Sequence, residues 1–387
     1  MAGTRRGAAR RALDEVVIRL QDIFYNDRML AVAAALAVLS MALVPPGPAY
    51  AGYIDVRTLA LLFCLMAVVA GLTRAGLLSR LSNMLARRAG TARSLAAVLT
   101  ACVFVCAMLM TNDVALITFV PVTLSMLDGA PPRAKALAVA AQTVAANLGS
   151  MLTPIGNPQN LYLYSAFHLT LGEFAATMLP LALPAAVASL VPVALVPRTP
   201  LRARDDAAGA ALDGRRVALH VALFAASVAA VAHLVPWQAC LALVAAAGML
   251  FDRDALRGVD YRLLATFVCF FVVIGNVGNL PAVRDLAAGL LDGREALVAA
   301  LASQVMSNVP AAIMLSQFTD NVAGLLVGTN LGGLGTPIAS LASLISMRVY
   351  ARMDRQGSAQ YMRTFLLLNG ALLVLALVAV QALGLGR

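Results

Sequence analysis

Long apolar runs separated by short basic stretches set the plan of this chain. About 20 apolar residues in a helix cross a bilayer, and on that measure single spans are predicted near 29–46, 56–78, 171–196, 217–234, 237–250, 260–280 and 364–385. Four runs depart from the pattern. Residues 95–127 hold Thr111-Asn112-Asp113 at their middle and are too few for two crossings and a turn, so they predict a re-entrant hairpin. Residues 296–318, centred on Ser307-Asn308-Val309-Pro310, predict a second. Runs 135–168 and 322–350 are long enough to cross but carry Gly, Pro and Asn inside, so they predict broken spans, the first interrupted around Asn147 to Asn160. The fold class is therefore an all-α polytopic membrane protein with nine spans and two hairpins. Residues 12–27 alternate apolar and charged positions at helical spacing, and the segment 1–28 reads as an amphipathic helix on the cytoplasmic membrane surface.

The two broken spans echo one another. Asn147-Leu148-Gly149-Ser150-Met151-Leu152-Thr153-Pro154-Ile155 and Asn330-Leu331-Gly332-Gly333-Leu334-Gly335-Thr336-Pro337-Ile338 agree at six of nine positions, 183 residues apart. Two further landmarks recur in the same order: Asp55-Val56-Arg57 with Asp260-Tyr261-Arg262, and Met110-Thr111-Asn112 with Met306-Ser307-Asn308. A first repeat at 29–196 (hairpin 95–127, broken helix 135–168) is thus followed by a linker at 197–216. Residues 217–387 then hold a linking span, 217–234, and a second repeat with hairpin 296–318 and broken helix 322–350. A helix broken at membrane depth is tolerated only where it is buried in protein or lines a cavity. Paired breaks in two repeats point to a transporter whose site lies between them.

Composition agrees: 61% of the 387 residues are hydrophobic and only 12% charged, too apolar for a soluble domain. The net charge of +10 does not mark a nucleic-acid binder, because the arginines collect between apolar runs and Lys135 is the only lysine. Basic loops stay in the cytoplasm. Arg80, Arg87, Arg88 and Arg93, then Arg198 to Arg216, then Arg348 to Arg363 place those loops inside, the N-terminus inside and the C-terminus outside a bacterial-type inner membrane. On this count Asp55 lies outside and Asp260 inside, so the repeats are inverted. No cleavage site follows the first apolar run, which is expected to remain as a span. Cys64, Cys102, Cys106, Cys240 and Cys269 all lie in apolar runs and read as small buried hydrophobes. His168, His220 and His233 fall near span ends and read as interfacial anchors.

Candidate chemistry gathers at the breaks and tips. Thr111, Asn112, Ser307 and Asn308 offer hydroxyls, amides and the freed N–H groups of helix starts, suited to holding an anion or, through oxygens, a sodium ion. Asn157 and Thr336 join them as expected substrate contacts. Asn147, Thr153, Gly156, Asn330 and Ser340, with Asn160 nearby, would face the tips and serve ion coupling. Asp113 is the carboxylate inside the first hairpin, a position costly enough to be functional by default, carrying a coupling proton or helping to bind a cation. The bland alternative is that the polar residues join helices and the Gly and Pro residues permit close packing and a kink. Neither a catalytic site nor a nucleotide loop is visible, so energy would come from an ion gradient.

These motifs, Met-Thr-Asn-Asp at 110–113, Thr-Pro-Ile-Gly-Asn-Pro-Gln-Asn at 153–160, Ser-Asn-Val-Pro-Ala at 307–311 and Gly-Thr-Asn-Leu-Gly at 328–332, follow one order. In it the chain resembles the ion transporter superfamily of citrate and dicarboxylate transporters, arsenite permeases and some sodium/proton antiporters. It looks most similar to the bacterial anion-permease branch. The resemblance covers about residues 55–350. It implies a homodimer, a fixed scaffold and a mobile transport domain moving as an elevator. Dicarboxylate members carry Ser-Asn-Thr at both tips. Here the triplets are Thr111-Asn112-Asp113 and Ser307-Asn308-Val309, and the Asn-Asp pair is similar to the arsenite-permease branch. The expected function is secondary transport of a small anion, a carboxylate such as citrate or a dicarboxylate, coupled to sodium or protons. The alternatives are proton-coupled export of arsenite or antimonite and sodium/proton antiport. A channel or membrane scaffold would not need paired breaks.

Overall fold

The structure is a computed structural model that describes residues 28–86, 89–201, 212–278, 280–384 and 386. The amphipathic segment at 12–27 and part of the linker, 202–211, lie outside the described residues. Those described are helical, with one isolated bridge between Thr91 and Pro200. In order the helices are α1 (Arg28–Leu43), α2 (Tyr50–Tyr53), α3 (Val56–Arg74), α4 (Leu77–Ala86), α5 (Ala92–Leu109), α6 (Asn112–Met126), α7 (Pro132–Ser150), α8 (Pro158–Ala166) and α9 (Leu171–Met178). They continue as α10 (Ala182–Leu190), α11 (Gly214–Val231), α12 (Trp237–Phe251), α13 (Arg253–Arg257), α14 (Tyr261–Val277) and α15 (Pro281–Leu291). The last are α16 (Glu295–Met306), α17 (Asn308–Leu315), α18 (Val322–Leu331), α19 (Leu341–Met353) and α20 (Ser358–Leu383).

Among the described residues five stretches are long and apolar enough to cross a bilayer alone: Val56–Arg74, Ala92–Leu109, Leu171–Leu195, Gly214–Val231 and Ser358–Leu383. Nine crossings were expected. One of the five, Ala92–Leu109, lies in the run expected as a hairpin; of the expected spans, α1, α12 and α14 are single helices of 16, 15 and 17 residues, and two are built from shorter pieces, α7 with α8 and α18 with α19. The outer face of α20 explains why a bilayer is needed. Leu367 is 76% exposed and Leu383 71%, and a row of such side chains is stable in lipid rather than water.

Two compact units form. The first contains residues 1–55 and 260–284. In it α1 packs on α14, and Asn276 Nδ2 donates to Ser40 Oγ (3.0 Å) and Tyr50 OH (2.8 Å). Gly275 is required there, because a Cβ would fall 2.2 Å from the Tyr53 ring.

The second unit contains residues 56–259 and 285–387 and holds both runs expected as hairpins and both breaks. Helix α7 is its axis. Proline at the first turn costs no hydrogen bond, and an Ala-rich run then propagates the helix. From Ala136 to Ser150 every residue is buried, as expected of a helix without a polar face to water. Helices α5 and α6 pack together and on α7; α16 and α17 pack together and on α18. Two cross-packings complete the arrangement, α19 on α6 and α17 on α8. Along α7, α19 and α20 runs a polar seam in which Thr143 Oγ1 meets Ser346 Oγ (3.0 Å) and Tyr361 OH (3.2 Å). Lys135 pairs with Asp354 at 3.2 Å beyond it.

His220 departs from the expected anchoring. Its ring is buried, and its Nε2 meets Asp252 Oδ2 at 3.0 Å. It stands against Gly71, where a Cβ would lie 2.1 Å from the imidazole. Burial pushes the Asp252 carboxyl up, but the His220 hydrogen bond, the Ala255 amide and the Arg216 charge together hold it below its ordinary value.

Candidate functional site

Both breaks fall where the repeated motif sits. Helix α7 stops at Ser150 and α8 starts at Pro158, capped by Asn157 Oδ1 accepting from Asn160 N. Helix α18 stops at Leu331, and a single turn of 3₁₀ helix, Pro337–Ala339, leads into α19. Close approach forces the glycines. A Cβ on Gly149 would lie 2.3 Å from Phe104 O, one on Gly156 2.2 Å from Ser150 O, and one on Gly328 2.4 Å from Ala296 O.

Helix junctions fall at the Thr111-Asn112 and Ser307-Asn308 motifs. Between α5 and α6 the chain is extended at Met110 and Thr111. Between α16 and α17 the turn is Ser307 alone, with φ 77° and ψ 155°, a region that is nearly reserved for glycine. Pro310 fills the first turn of α17, where no N–H is missed.

Each tip docks on matching positions of its own break. In the first repeat Thr153 Oγ1 donates to Met108 O, and Asn112 N donates to Gly156 O at 3.2 Å. In the second, Thr336 Oγ1 donates to Gln304 O at 3.1 Å, and Ser307 Oγ reaches Ala339 O at 3.4 Å. Gly156 and Ala339 stand 183 positions apart, as Thr153 and Thr336 do.

The two breaks then exchange side chains. Asn147 Nδ2 donates to Ser343 Oγ (3.3 Å), and Asn330 Nδ2 donates to Asn160 Oδ1 (2.6 Å). Ser340 Oγ donates to Asn147 Oδ1 (2.9 Å), and Asn157 Nδ2 donates to Asn330 Oδ1 (2.9 Å). Adding 183 to 147, 157 and 160 gives 330, 340 and 343. Each bond therefore has a twin running the other way, so the contact between the breaks is reciprocal. All six side chains are buried.

Backbone groups fix how these amides point, so their O and N atoms are not interchangeable. Asn157 Oδ1 faces Asn160 N, Asn147 Nδ2 faces Gly333 O (3.1 Å), Asn330 Nδ2 faces Leu326 O (2.8 Å) and Asn112 Oδ1 faces Asp113 N (3.0 Å). Asn112 Nδ2 then reaches Asn147 Oδ1 at 3.3 Å. At the other tip, a Cβ on Gly333 would lie 3.3 Å from Asn308 Nδ2 and 3.7 Å from Asn147 Oδ1. Asn112 thus bonds Asn147, while Asn308 and Asn147 both border Gly333. Asp113 is half-buried in the first turn of α6, where the helix dipole favours a negative charge.

Two residues complete the breaks without having been singled out in the sequence. Ser343 was within reach, since it is Asn160 carried forward by the repeat offset. Gln304 had no such signal, because Met108 stands in its place in the first hairpin. Its Nε2 donates to Gly332 O (2.8 Å) and Leu334 O (3.1 Å), and its Oε1 accepts from Thr336 N (2.8 Å). Among the described residues no group of three His, Cys, Asp or Glu side chains could hold a metal ion.

Comparison with known proteins gives the family. Residues 23–327 match the Citrate transporter family. The inner membrane protein YbiR of Escherichia coli is 29% identical over 84% of this chain and 88% of its own length. An uncharacterized transporter of Methanocaldococcus jannaschii is 29% identical over 71% of this chain and 74% of its own. The silicon efflux transporter of Oryza sativa is 31% identical over 39% of this chain and 30% of its own. With its paired breaks and a family match over most of its length, the chain belongs to the citrate transporter family, as a multi-pass membrane transporter.

Proposed function

We propose that the chain is a secondary active transporter of a small anion, a carboxylate such as citrate or a dicarboxylate, driven by a sodium or proton gradient. The observation that carries this reading is the exchange of side-chain bonds between the two breaks, with the first tip bonded to Asn147 and the second against Gly333. The reciprocal contact between halves, taken with an arginine pattern that puts Asp55 outside and Asp260 inside, supports an inverted repeat with its axis in the membrane plane. The N-terminus is then cytoplasmic and the C-terminus outside.

In this reading the anion sits at the second tip. Asn308 Nδ2 makes no hydrogen bond within the protein among the described residues, and the first amides of α17 lie beside it. Ser307, Thr111 and Asn112 would complete the contact, with Asn157 and Thr336 holding the breaks in shape. Asn147, Thr153, Gly156, Asn330 and Ser340 couple the halves. Alternating access follows if the hairpins and breaks move as one body, elevator fashion, within a homodimer, as the family resemblance implies. Proteoliposomes loaded with protein should take up labelled citrate or succinate when a sodium or proton gradient is imposed, and Asn308→Ala should lower that uptake at least tenfold. Uptake of neither acid under either gradient would overturn the reading.

A second reading has its own support. Asp113 at the start of α6 is a carboxylate beside the first tip, and one relative is named as a silicon efflux transporter. Export of a neutral or weakly acidic oxyacid such as arsenite in exchange for protons fits both observations. Asp113→Asn would abolish proton-driven oxyacid efflux under this reading and leave carboxylate uptake measurable under the first.

A further inference from the structure

The oxygens that a cation would need at the breaks are already taken by tethered amide nitrogens. Gln304 Nε2 lies 2.8 Å from Gly332 O, 3.1 Å from Leu334 O and 3.0 Å from Ala300 O. Asn160 Nδ2 lies 3.1 Å from Thr153 O, 3.2 Å from Met151 O and 3.4 Å from Ser150 O. Three carbonyls converge on one nitrogen in each break. Hard cations are held by converging oxygens of this kind. An amide NH₂ presents only donors there. A metal ion entering either cage would meet the N–H hydrogens as well as the carbonyl oxygens.

Neither amide can turn to offer its oxygen instead. Gln304 Oε1 is held by Thr336 N at 2.8 Å, and Asn160 Oδ1 by Asn330 Nδ2, which is itself fixed by Leu326 O. The remaining amide oxygens are also engaged. Asn147 Oδ1 takes two donors, Ser340 Oγ and Asn112 Nδ2, while Asn112 Oδ1, Asn157 Oδ1 and Asn330 Oδ1 each take one.

We infer that Gln304 and Asn160 act as built-in occupants of the two break cages and exclude sodium from them. The inference rests on the proposed function and narrows where its coupling ion can bind. Gln304 is then a specificity-determining residue for the ion: it shares its cage with the break of its own repeat and needs no counterpart in the first, where Asn160 does the same task.

The test uses the full chain in nanodiscs, with thermal unfolding followed by Trp237 fluorescence in sodium chloride or in choline chloride of equal ionic strength. The wild type should melt at the same temperature in both salts. Gln304→Glu puts a carboxylate of the same reach among the three carbonyls and should melt higher in sodium than in choline, in a saturable way, as a bound ligand requires. A wild type stabilised saturably by sodium overturns the inference. An unresponsive wild type with a folded, unresponsive Gln304→Glu variant overturns the assignment of Gln304 as occupant. Should Gln304→Glu fail to fold, Asn160→Asp is read in its place by the same criterion. In proteoliposomes, citrate or succinate uptake driven by a pH gradient should be equal in sodium and choline. Loss of all uptake with the melting results intact would refute anion transport and leave the cage assignment standing.

Discussion

Replacing Asn330 by two residues of different character tests the network most sharply. Asn330→Ala removes the donor to Asn160 Oδ1 and the acceptor for Asn157 Nδ2, both in side chains 2% exposed or less. Asn160 Oδ1 loses the partner that holds it and is left buried. Asn157 Nδ2 keeps Ser150 Oγ at 3.2 Å, so it loses only a net bond. An unsatisfied buried group costs about 1–3 kcal/mol and a net bond about 1 kcal/mol, giving roughly 2–4 kcal/mol for the alanine variant. Asn330→Asp keeps the shape but sets a carboxylate against Asn160 Oδ1 and Leu326 O, two oxygens that approach at 2.6 and 2.8 Å. An unpaired buried charge costs more than a missing group. Aspartate should therefore melt below alanine, despite being the isosteric change. Thermal unfolding of both variants in one lipid at neutral pH ranks them. If aspartate melts close to wild type and alanine well below it, Asn330 fills space, and the directional reading of the amides is refuted.

Other expectations follow from particular positions. Ser307→Gly should raise the melting temperature by the equivalent of about 1 kcal/mol, since glycine alone adopts that backbone freely. Ser307→Ala should lower it, keeping the strain and losing the hydroxyl. Gly156→Ala places a methyl 2.2 Å from Ser150 O, in a backbone that cannot swing aside, and should cost about 1–3 kcal/mol or abolish monodisperse protein on size exclusion. Asp252, whose pKa the fold depresses, stabilises the protein above the ordinary carboxylate range. That stability is lost as pH falls through the depressed value, and the loss should be absent in Asp252→Asn when unfolding is followed against pH.

Much of the site was legible because a duplicated motif leaves two independent marks. Thr111-Asn112 and Ser307-Asn308 stood in the middle of runs with the wrong length for their polarity, and both became helix junctions. Asn147 and Asn330 were paired by the offset, and they do exchange partners. Asn160 entered only as a neighbour of the motif and Ser343 not at all, because a side chain's partner across the molecule is a property of packing, which periodicity does not encode. Gln304 was invisible for a related reason: a glutamine three residues before a tip has no spacing to mark it. His220 failed differently. Near a span end a histidine reads as an anchor, and only the fold brings Asp252 from the far end of the next helix to bury it. The extra helices α4 and α15 were also missed, the first within an arginine-marked loop and the second in a stretch too polar to read as a span.

The twinned bonds of Asn147 and Asn330 give the molecule the logic of two separate proteins clasped together. Each half contributes one member of every exchanged pair, so neither half on its own could satisfy its asparagines. Had an ancestor been encoded as a single half, it would have met the same complementary residues on a second copy of itself. Fusion into one chain would then have freed the copies to diverge, and glutamine against methionine before the tips is one place where they have done so.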